Sequence, residues 1–208
     1  MHHHSNIRKW FEAAILGLPL LLLLWSCQEE DTTILPQNVQ LQAGDIVFRQ
    51  GESFDSQAVL TADRSGCYSH IGIVVDSCGW PMIVHAVPDE PDFEGDIDRI
   101  KMDRPEVFFL RSRAAIGEVM RAKATEAALQ AAETAQHLYR KHLPFDHEYD
   151  DSDSSKMYCT ELILYAYRQA GLNLATGPRE NIHFPIDFNG YFPSAVHASP
   201  LLYSICAF

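Results

Sequence analysis

Two runs rich in β-branched residues, joined by a short turn, constrain this chain more than any other feature. They cover residues 68–76 and 82–87, and Cys78-Gly79 lies at the centre of the turn between them. β-Branched residues favour strands, and glycine readily supplies the positive φ of a tight hairpin turn. The sequence therefore predicts an antiparallel hairpin and a fold built on an antiparallel sheet.

Each strand of this hairpin carries one histidine, His70 in the first and His85 in the second. Both lie away from the turn, so we expect antiparallel pairing to bring them together on one face of the sheet. A single histidine in an apolar strand is more often a satisfied core residue than a catalyst. Two at neighbouring positions favour a functional pair, with a packing role as the alternative for each.

Cys159 lies in the first turn of a predicted helix. The polar run over residues 150–155 precedes it, and Leu162, Ile163 and Ala166 then recur at helical spacing. Free backbone N–H groups and the helix dipole at such an N-terminus stabilise a thiolate and can hold an oxyanion. The position predicts a nucleophile, and the alternative is a small buried hydrophobe that anchors the helix.

Apolar patterns elsewhere predict further elements. Strands are expected after Gly44-Asp45 and over residues 106–111, and alanines every three or four residues predict a long helix over residues 119–142. The acidic stretch 89–102 is expected to be irregular and to overhang the site as a lid. The apolar tail is expected to close over the sheet and to end as a strand.

The N-terminal region has the pattern of a secretion signal. Arg8 and Lys9 precede an apolar run over residues 13–25, which is shorter than the roughly 20 residues of a transmembrane helix. The run ends in Leu24-Trp25-Ser26-Cys27, which resembles a bacterial lipobox. That resemblance implies cleavage before Cys27 and lipid modification of its side chain. An uncleaved anchor or a simple secretory signal is the alternative.

These features predict a lipoprotein signal peptide over residues 1–26, a tether over 27–40 and one domain over 41–208. The chain would then be held in the bacterial cell envelope, at the outer membrane or in the periplasm, by a lipid at Cys27. A net charge of −12 argues against a nucleic acid partner, because neutralising phosphates requires a basic face.

Four further cysteines occupy positions 67, 78, 159 and 206. Cys67 and Cys78 flank one predicted strand, so they lie too far apart for a disulfide. We expect Cys67, Cys78 and Cys206 to be free thiols without catalytic roles. No CxxC or zinc-type Cys/His spacing occurs in the sequence, and no metal site is predicted.

Four short motifs, taken in order, resemble a known superfamily. Gly44-Asp45-Ile46-Val47-Phe48, Ser69-His70-Ile71-Gly72-Ile73 and Ile83-Val84-His85-Ala86 resemble the sheet half of the NlpC-type papain-like cysteine hydrolases. In that superfamily the nucleophilic cysteine ordinarily precedes the sheet, whereas Tyr158-Cys159-Thr160-Glu161-Leu162 follows it here. This order resembles the circularly permuted branch, the YiiX/YaeF-like papain-like amidases, over about residues 41–175.

The resemblance implies an α+β, papain-like fold in which an antiparallel, barrel-like sheet packs on helices. It implies that Cys159 is the nucleophile, that His70 is its general base and later general acid, and that His85 orients His70. Members of the permuted branch often carry a carboxylate at the position of His85. Tyr158 is a candidate oxyanion donor, with a packing role as the alternative.

The implied reaction is amide hydrolysis through an acyl-enzyme, without metal or organic cofactor. The implied substrates are lipid-like N-acyl amides or peptide amides of the cell wall. Two alternatives stay open, an acyltransferase of the same fold and a ligand-binding lipoprotein that has lost turnover.

Overall fold

The predicted hairpin lies within an antiparallel sheet in the computed structural model, which describes residues 31–91 and 93–208. In chain order the strands are β1 (Ile46–Gln50), β2 (His70–Ser77), β3 (Trp80–Val87), β4 (Arg99–Asp103), β5 (Ile116–Ala122), β6 (Glu180–Ile182), β7 (Phe188–Gly190) and β8 (Leu202–Ala207). Six of them pair in the order β4-β3-β2-β1-β5-β8, and β6 pairs with β7. With β4 and β8 at its edges, the described sheet is not closed into a barrel by strand pairing.

Five helices surround this sheet in the described part of the chain. They are α1 (Phe54–Ala62), α2 (Pro105–Phe108), α3 (Thr125–Arg140), α4 (Cys159–Gln169) and α5 (Pro193–His197). None of these described helices combines the length and the apolar character needed to cross a bilayer. The signal peptide predicted over residues 1–26 and the lipidation site predicted at Cys27 lie outside the described residues.

The β2–β3 hairpin forms as the sequence predicts. Cys78 and Gly79 have φ values of 56° and 87°, and the Gly79 N–H donates to the Asp76 carboxylate at 2.9 Å. Positive φ at both central residues matches the twist of the flanking strands. The turn fixes the register, in which Ile73 is opposite Val84.

Helices α3 and α4 pack on one face of the sheet. The predicted alanine stripe of α3 is buried there and includes Ala128, Ala131 and Ala135. Small side chains let α3 approach the chain at Gly44 so closely that a Cβ on Gly44 would lie 2.4 Å from the Ala128 carbonyl oxygen. This close approach positions α4, which packs against both α3 and β2.

The other face is covered by α2, by the chain over residues 34–41 and by Phe208. Phe108 and Phe109 pack against Val47, Val74 and Ile83 of the sheet. The backbone N–H of residue 34 donates to the carbonyl of residue 109 at 2.8 Å. Much of the stretch predicted as a tether therefore contacts the folded unit. Since both faces are covered, polar groups on this sheet need internal partners.

Three predictions of secondary structure were wrong in whole or in part. Residues 106–111 form no strand, because Pro105 occupies the first turn of α2 and the chain folds there as a short helix. The long helix begins at Thr125 instead of near Val119, because residues 116–122 pair with β1 and β8 as strand β5. The predicted irregular stretch 89–102 likewise ends in β4. The C-terminal strand is confirmed as β8.

Candidate active site

Cys159 is the first residue of α4, in the first helical turn as predicted. The preceding Tyr158 has an extended backbone. The Glu161 side chain accepts a hydrogen bond from the N–H of Tyr158, and this bond stabilises the start of the helix. Burial raises the pKa of the Cys159 thiol, while the Thr160 hydroxyl and the backbone N–H groups of Thr160 and Ile71 act to lower it. The resting side chain is therefore a protonated thiol at neutral pH, surrounded by donors that favour an anion.

His70 and His85 contact one another directly. Nε2 of His70 lies 2.9 Å from Nδ1 of His85, and both rings pack against Phe108. Gly72 permits this arrangement, because a Cβ there would lie 3.3 Å from the His85 Cβ and 2.7 Å from Ile83 Cγ2. The neighbouring placement predicted from the hairpin is confirmed.

A carboxylate that the sequence reasoning missed continues this chain of contacts. Nε2 of His85 lies 3.2 Å from Oδ2 of Asp103, the last residue of β4, and Nη1 of Arg113 donates to the same oxygen at 3.1 Å. Burial acts to raise the pKa of Asp103, but the hydrogen bond from His85 and the charges of His85, Lys101 and Arg113 outweigh it and lower that pKa to about 2. Asp103 is ionised at neutral pH.

Glu90 links Arg113, which binds Asp103, to a second arginine, Arg49. Its carboxylate bonds both Arg49 and Arg113, the latter at 2.8 Å, and its carbonyl accepts from Lys101. Arg49 is paired with His70 in the β1–β2 register and lies over the Phe108 ring. Burial, followed by the charges of Arg49 and His85, holds the pKa of His70 well below its ordinary value. His70 is therefore a neutral imidazole, able to accept a proton.

Cys159 and His70 line the same cavity, of about 110 Å³. Its other walls come from α1 and the segment before it, the ends of β1, β2 and β3, and the loop before α4, at Arg49, Ser53, Asp55, Ser56, Val59, Ser69, Val87, Pro88, Asp89, Glu90, Phe145 and Tyr149. A neighbouring cavity of about 360 Å³ shares Arg49, Ser53, Ser56, Asp89 and Glu90. A larger one of about 620 Å³, between residues 61–65 and 176–198, contains neither Cys159 nor His70. The predicted site residues therefore do not line the larger cavity.

The implied roles of Cys159, His70 and His85 call for a hydrogen-bonded chain, which is formed between the two histidines but not at the thiol. The Cys159 sulfur lies 3.9 Å from the Thr160 hydroxyl, and no bond to His70 is among those formed by the described residues. Catalytic hydrogen bonds often tighten only when substrate binds, so a shared cavity is compatible with proton transfer between the two groups. Cys67, Cys78 and Cys206 are free thiols outside this cavity.

Tyr158 does not line the Cys159 cavity. It is almost fully buried, and its hydroxyl accepts the N–H of Tyr191 at 3.0 Å. This placement supports the packing alternative for Tyr158, since its hydroxyl already has a structural partner. Tyr149 lines the cavity instead, and its pKa is raised by burial and then by the charges of Cys159 and Asp55. Its phenol is protonated at neutral pH and can donate a hydrogen bond.

Comparison with known proteins gives similarity at the level of the fold. No protein-family model and no curated protein sequence matches the chain. A solved structure, described as the metalloprotein YiiX from Escherichia coli O157:H7 (DUF1105), superposes with a TM-score of 0.65 over 82% of this chain and 99% of that one, at 21% sequence identity. The chain has a YiiX-like fold.

It is the YiiX protein of that solved structure that is described as a metalloprotein. In this YiiX-like chain, the described residues contain no group of three or more His, Cys, Asp or Glu side chains placed to hold a metal ion. The residues around Cys159 therefore do not fit a metal site. His85 bonds Asp103 through one nitrogen and His70 through the other, so neither of its nitrogens is open to a ligand.

Proposed function

We propose that this YiiX-like protein is a papain-like cysteine amidohydrolase of circularly permuted topology. The observation that carries the proposal is the meeting of two elements at one cavity. Cys159 starts a helix there, and the His70–His85–Asp103 chain ends there. A nucleophile, a neutral base and a group that orients the base are the parts that acyl transfer requires.

Acylation begins with a neutral pair, because burial raises the pKa of Cys159 and lowers that of His70. The thiol proton passes to His70 as the sulfur attacks the carbonyl carbon of the amide. His70 then gives that proton to the amide nitrogen, and the C–N bond breaks to release an amine. The acyl group stays on Cys159 as a thioester.

Deacylation reverses these roles with water as the nucleophile. His70 takes a proton from water while the oxygen attacks the thioester carbon. The C–S bond then breaks, the sulfur regains a proton from His70, and a carboxylic acid leaves. In both acylation and deacylation, the developing oxyanion would accept hydrogen bonds from backbone N–H groups at the start of α4. The Tyr149 hydroxyl is the nearby side-chain donor.

The cavity walls favour polar amides over long acyl chains. A space of about 110 Å³ holds only a few water molecules, each occupying about 30 Å³ in the liquid. The adjoining space is lined by charged and hydroxyl side chains, among them Arg49, Asp89 and Glu90. We therefore favour peptide amides, such as those of a cell wall, over lipid-like N-acyl amides. The envelope location and the lipid at Cys27 stay predictions from the sequence.

Release of a coloured amine from a panel of peptide and N-acyl amino acid anilides tests the proposal. We expect peptide anilides to be hydrolysed by the wild-type chain and not by Cys159→Ala. Cys206→Ala is the matched control, since it removes another free thiol, half-buried on β8, and should keep full activity. Turnover that survives in Cys159→Ala would contradict the assignment. Amine release that depends on an added amine acceptor would favour the acyltransferase alternative.

A further inference from the structure

The contacts of Asp103 determine which nitrogen atoms of the neighbouring histidines carry a proton. It is 8% exposed, and one of its oxygens meets donors from both His85 and Arg113. The β3–β4 register sets the first contact, because Asp103 is opposite Ile83 and His85 lies two residues along the same face. Arg113 can only donate, so the oxygen it binds must be an acceptor.

We propose that Asp103 is a positioning residue that fixes the tautomers of both histidines and leaves Nδ1 of His70 as the base for Cys159. An ionised carboxylate has no proton to give, so Nε2 of His85 must carry one and donate it. In the contact between the two rings we assign Nδ1 of His85 as the acceptor and Nε2 of His70, 2.9 Å away, as the donor. The lone pair of His70 is thereby confined to Nδ1. This role rests on the hydrolysis proposed above.

Asp103 also supplies negative charge to the intermediate state in which His70 is an imidazolium. The groups around the two histidines are Arg49 on β1, Asp55 on α1, Asp89 and Glu90 after β3, Lys101 and Asp103 on β4, Arg113 after α2, Tyr149, and Cys159 on α4. Glu90 and Asp103 together offset the two arginines. Loss of the Asp103 charge removes an anion from the histidine pair, which lowers the basicity of Nδ1 of His70.

The tautomers can be read directly by nitrogen-15 NMR of the imidazole rings, without any substrate. We expect both His70 and His85 to carry their proton on Nε2 in the wild-type chain at neutral pH. Asp103→Leu should release His85 into a mixture of tautomers. Asp103→Asn should keep the wild-type pattern, because its side-chain oxygen can still accept from both Arg113 and His85. A His85 proton on Nδ1 in the wild-type chain, or unchanged tautomers in Asp103→Leu, would overturn the inference.

The pH profile of kcat/KM separates positioning from a purely structural role. Asp103→Asn should lower kcat/KM about 10- to 100-fold, a usual effect of changing a residue behind the catalytic groups, because it removes the negative charge that stabilises the His70 imidazolium. Its acidic limb should move to lower pH, because that limb reports the pKa of His70 and a lost anion lowers it. Glu106→Gln, an exposed carboxylate on α2, is the control and should change neither. A uniform loss without movement of the limb would contradict the inference. A wild-type chain without hydrolysis would count against the proposed function, while NMR would still decide the tautomers.

Discussion

A glutamate at position 85 is the most informative substitution, because relatives of the permuted branch often carry a carboxylate there. In this chain His85 is fully buried, and its Nε2 lies 3.2 Å from Asp103. His85→Glu would place a second carboxylate against Asp103. Arg113 already pairs with both Asp103 and Glu90, so it does not offset another anion. We therefore expect one of the two adjacent carboxyls to stay protonated in the folded state.

The free energy needed to protonate that carboxyl determines how much stability the variant loses. Each pKa unit corresponds to about 1.36 kcal/mol, so protonating a glutamate of ordinary pKa about 4.3 costs about 3.7 kcal/mol at pH 7 and about 1 kcal/mol at pH 5. Because the introduced carboxyl has a raised pKa in the folded state, its deficit grows as pH rises. His85→Gln is the matched control, since glutamine is uncharged, similar in size and able to donate to Asp103.

Urea unfolding of the two variants at pH 7 and pH 5 measures this difference. We expect His85→Glu to be less stable than His85→Gln by about 3 to 4 kcal/mol at pH 7 and by about 1 kcal/mol at pH 5. Adding Asp103→Asn to His85→Glu should recover much of the loss, because the two carboxylates no longer repel. Equal stability of the glutamate and glutamine variants at pH 7 would refute the contact between His85 and an ionised Asp103.

Three further outcomes follow from the same contacts. The rate of Cys159 alkylation by iodoacetamide should keep rising with pH beyond pH 8, because burial raises the pKa of the thiol. A rate that reaches a plateau near pH 6 would instead reveal a preformed thiolate–imidazolium pair. Tyr158→Phe should cost about 0.5–1.5 kcal/mol in urea unfolding, because the N–H of the half-buried Tyr191 loses its acceptor, and should leave Cys159 alkylation unchanged. Lost activity at full stability would instead favour an oxyanion role. Gly72→Ala should lower the free energy of unfolding by about 1–3 kcal/mol by overpacking against Ile83, and should reduce hydrolysis by displacing His85. Unchanged stability and activity would show that the sheet adjusts freely there.

The contacts that the sequence predicted are those determined by local pattern. The hairpin turn at Cys78-Gly79 sets the β2–β3 register, so the meeting of His70 and His85 could be predicted from spacing alone. The start of α4 is likewise marked by its polar run and its helical apolar spacing, which placed Cys159 in the first turn. Each of these signals spans fewer than about 20 residues, within the reach of strand and helix periodicity.

The contacts that the sequence missed depend on tertiary pairing. Asp103 reaches His85 only because β4 pairs with β3, and the acidic residues before β4 hid the alternation of Ile100 and Met102 that marks it as a strand. Glu90 and Arg113 come from separate loops, and Glu90 bonds both Arg113 and Arg49. No local pattern encodes such a meeting.

The other two errors in secondary structure have a similar origin. The helix predicted over residues 119–142 includes residues 119–122, and only pairing with β1 and β8 selects a strand there. For α2 a signal was present, since Pro105 followed by Glu106 is typical of a helix start. The apolar run from Val107 to Leu110 outweighed that signal in the sequence prediction.

The central claim is that Cys159 forms an acyl-enzyme with His70 as its base. Mass spectrometry of the intact chain and of its peptides, after brief mixing with an activated acyl ester, tests this most directly. We expect one acyl group on the peptide that contains Cys159, no acylation in Cys159→Ala, and much slower acylation in His70→Ala. Acyl groups spread over Cys67, Cys78 and Cys206, or acylation of Cys159 at the same rate without His70, would contradict it.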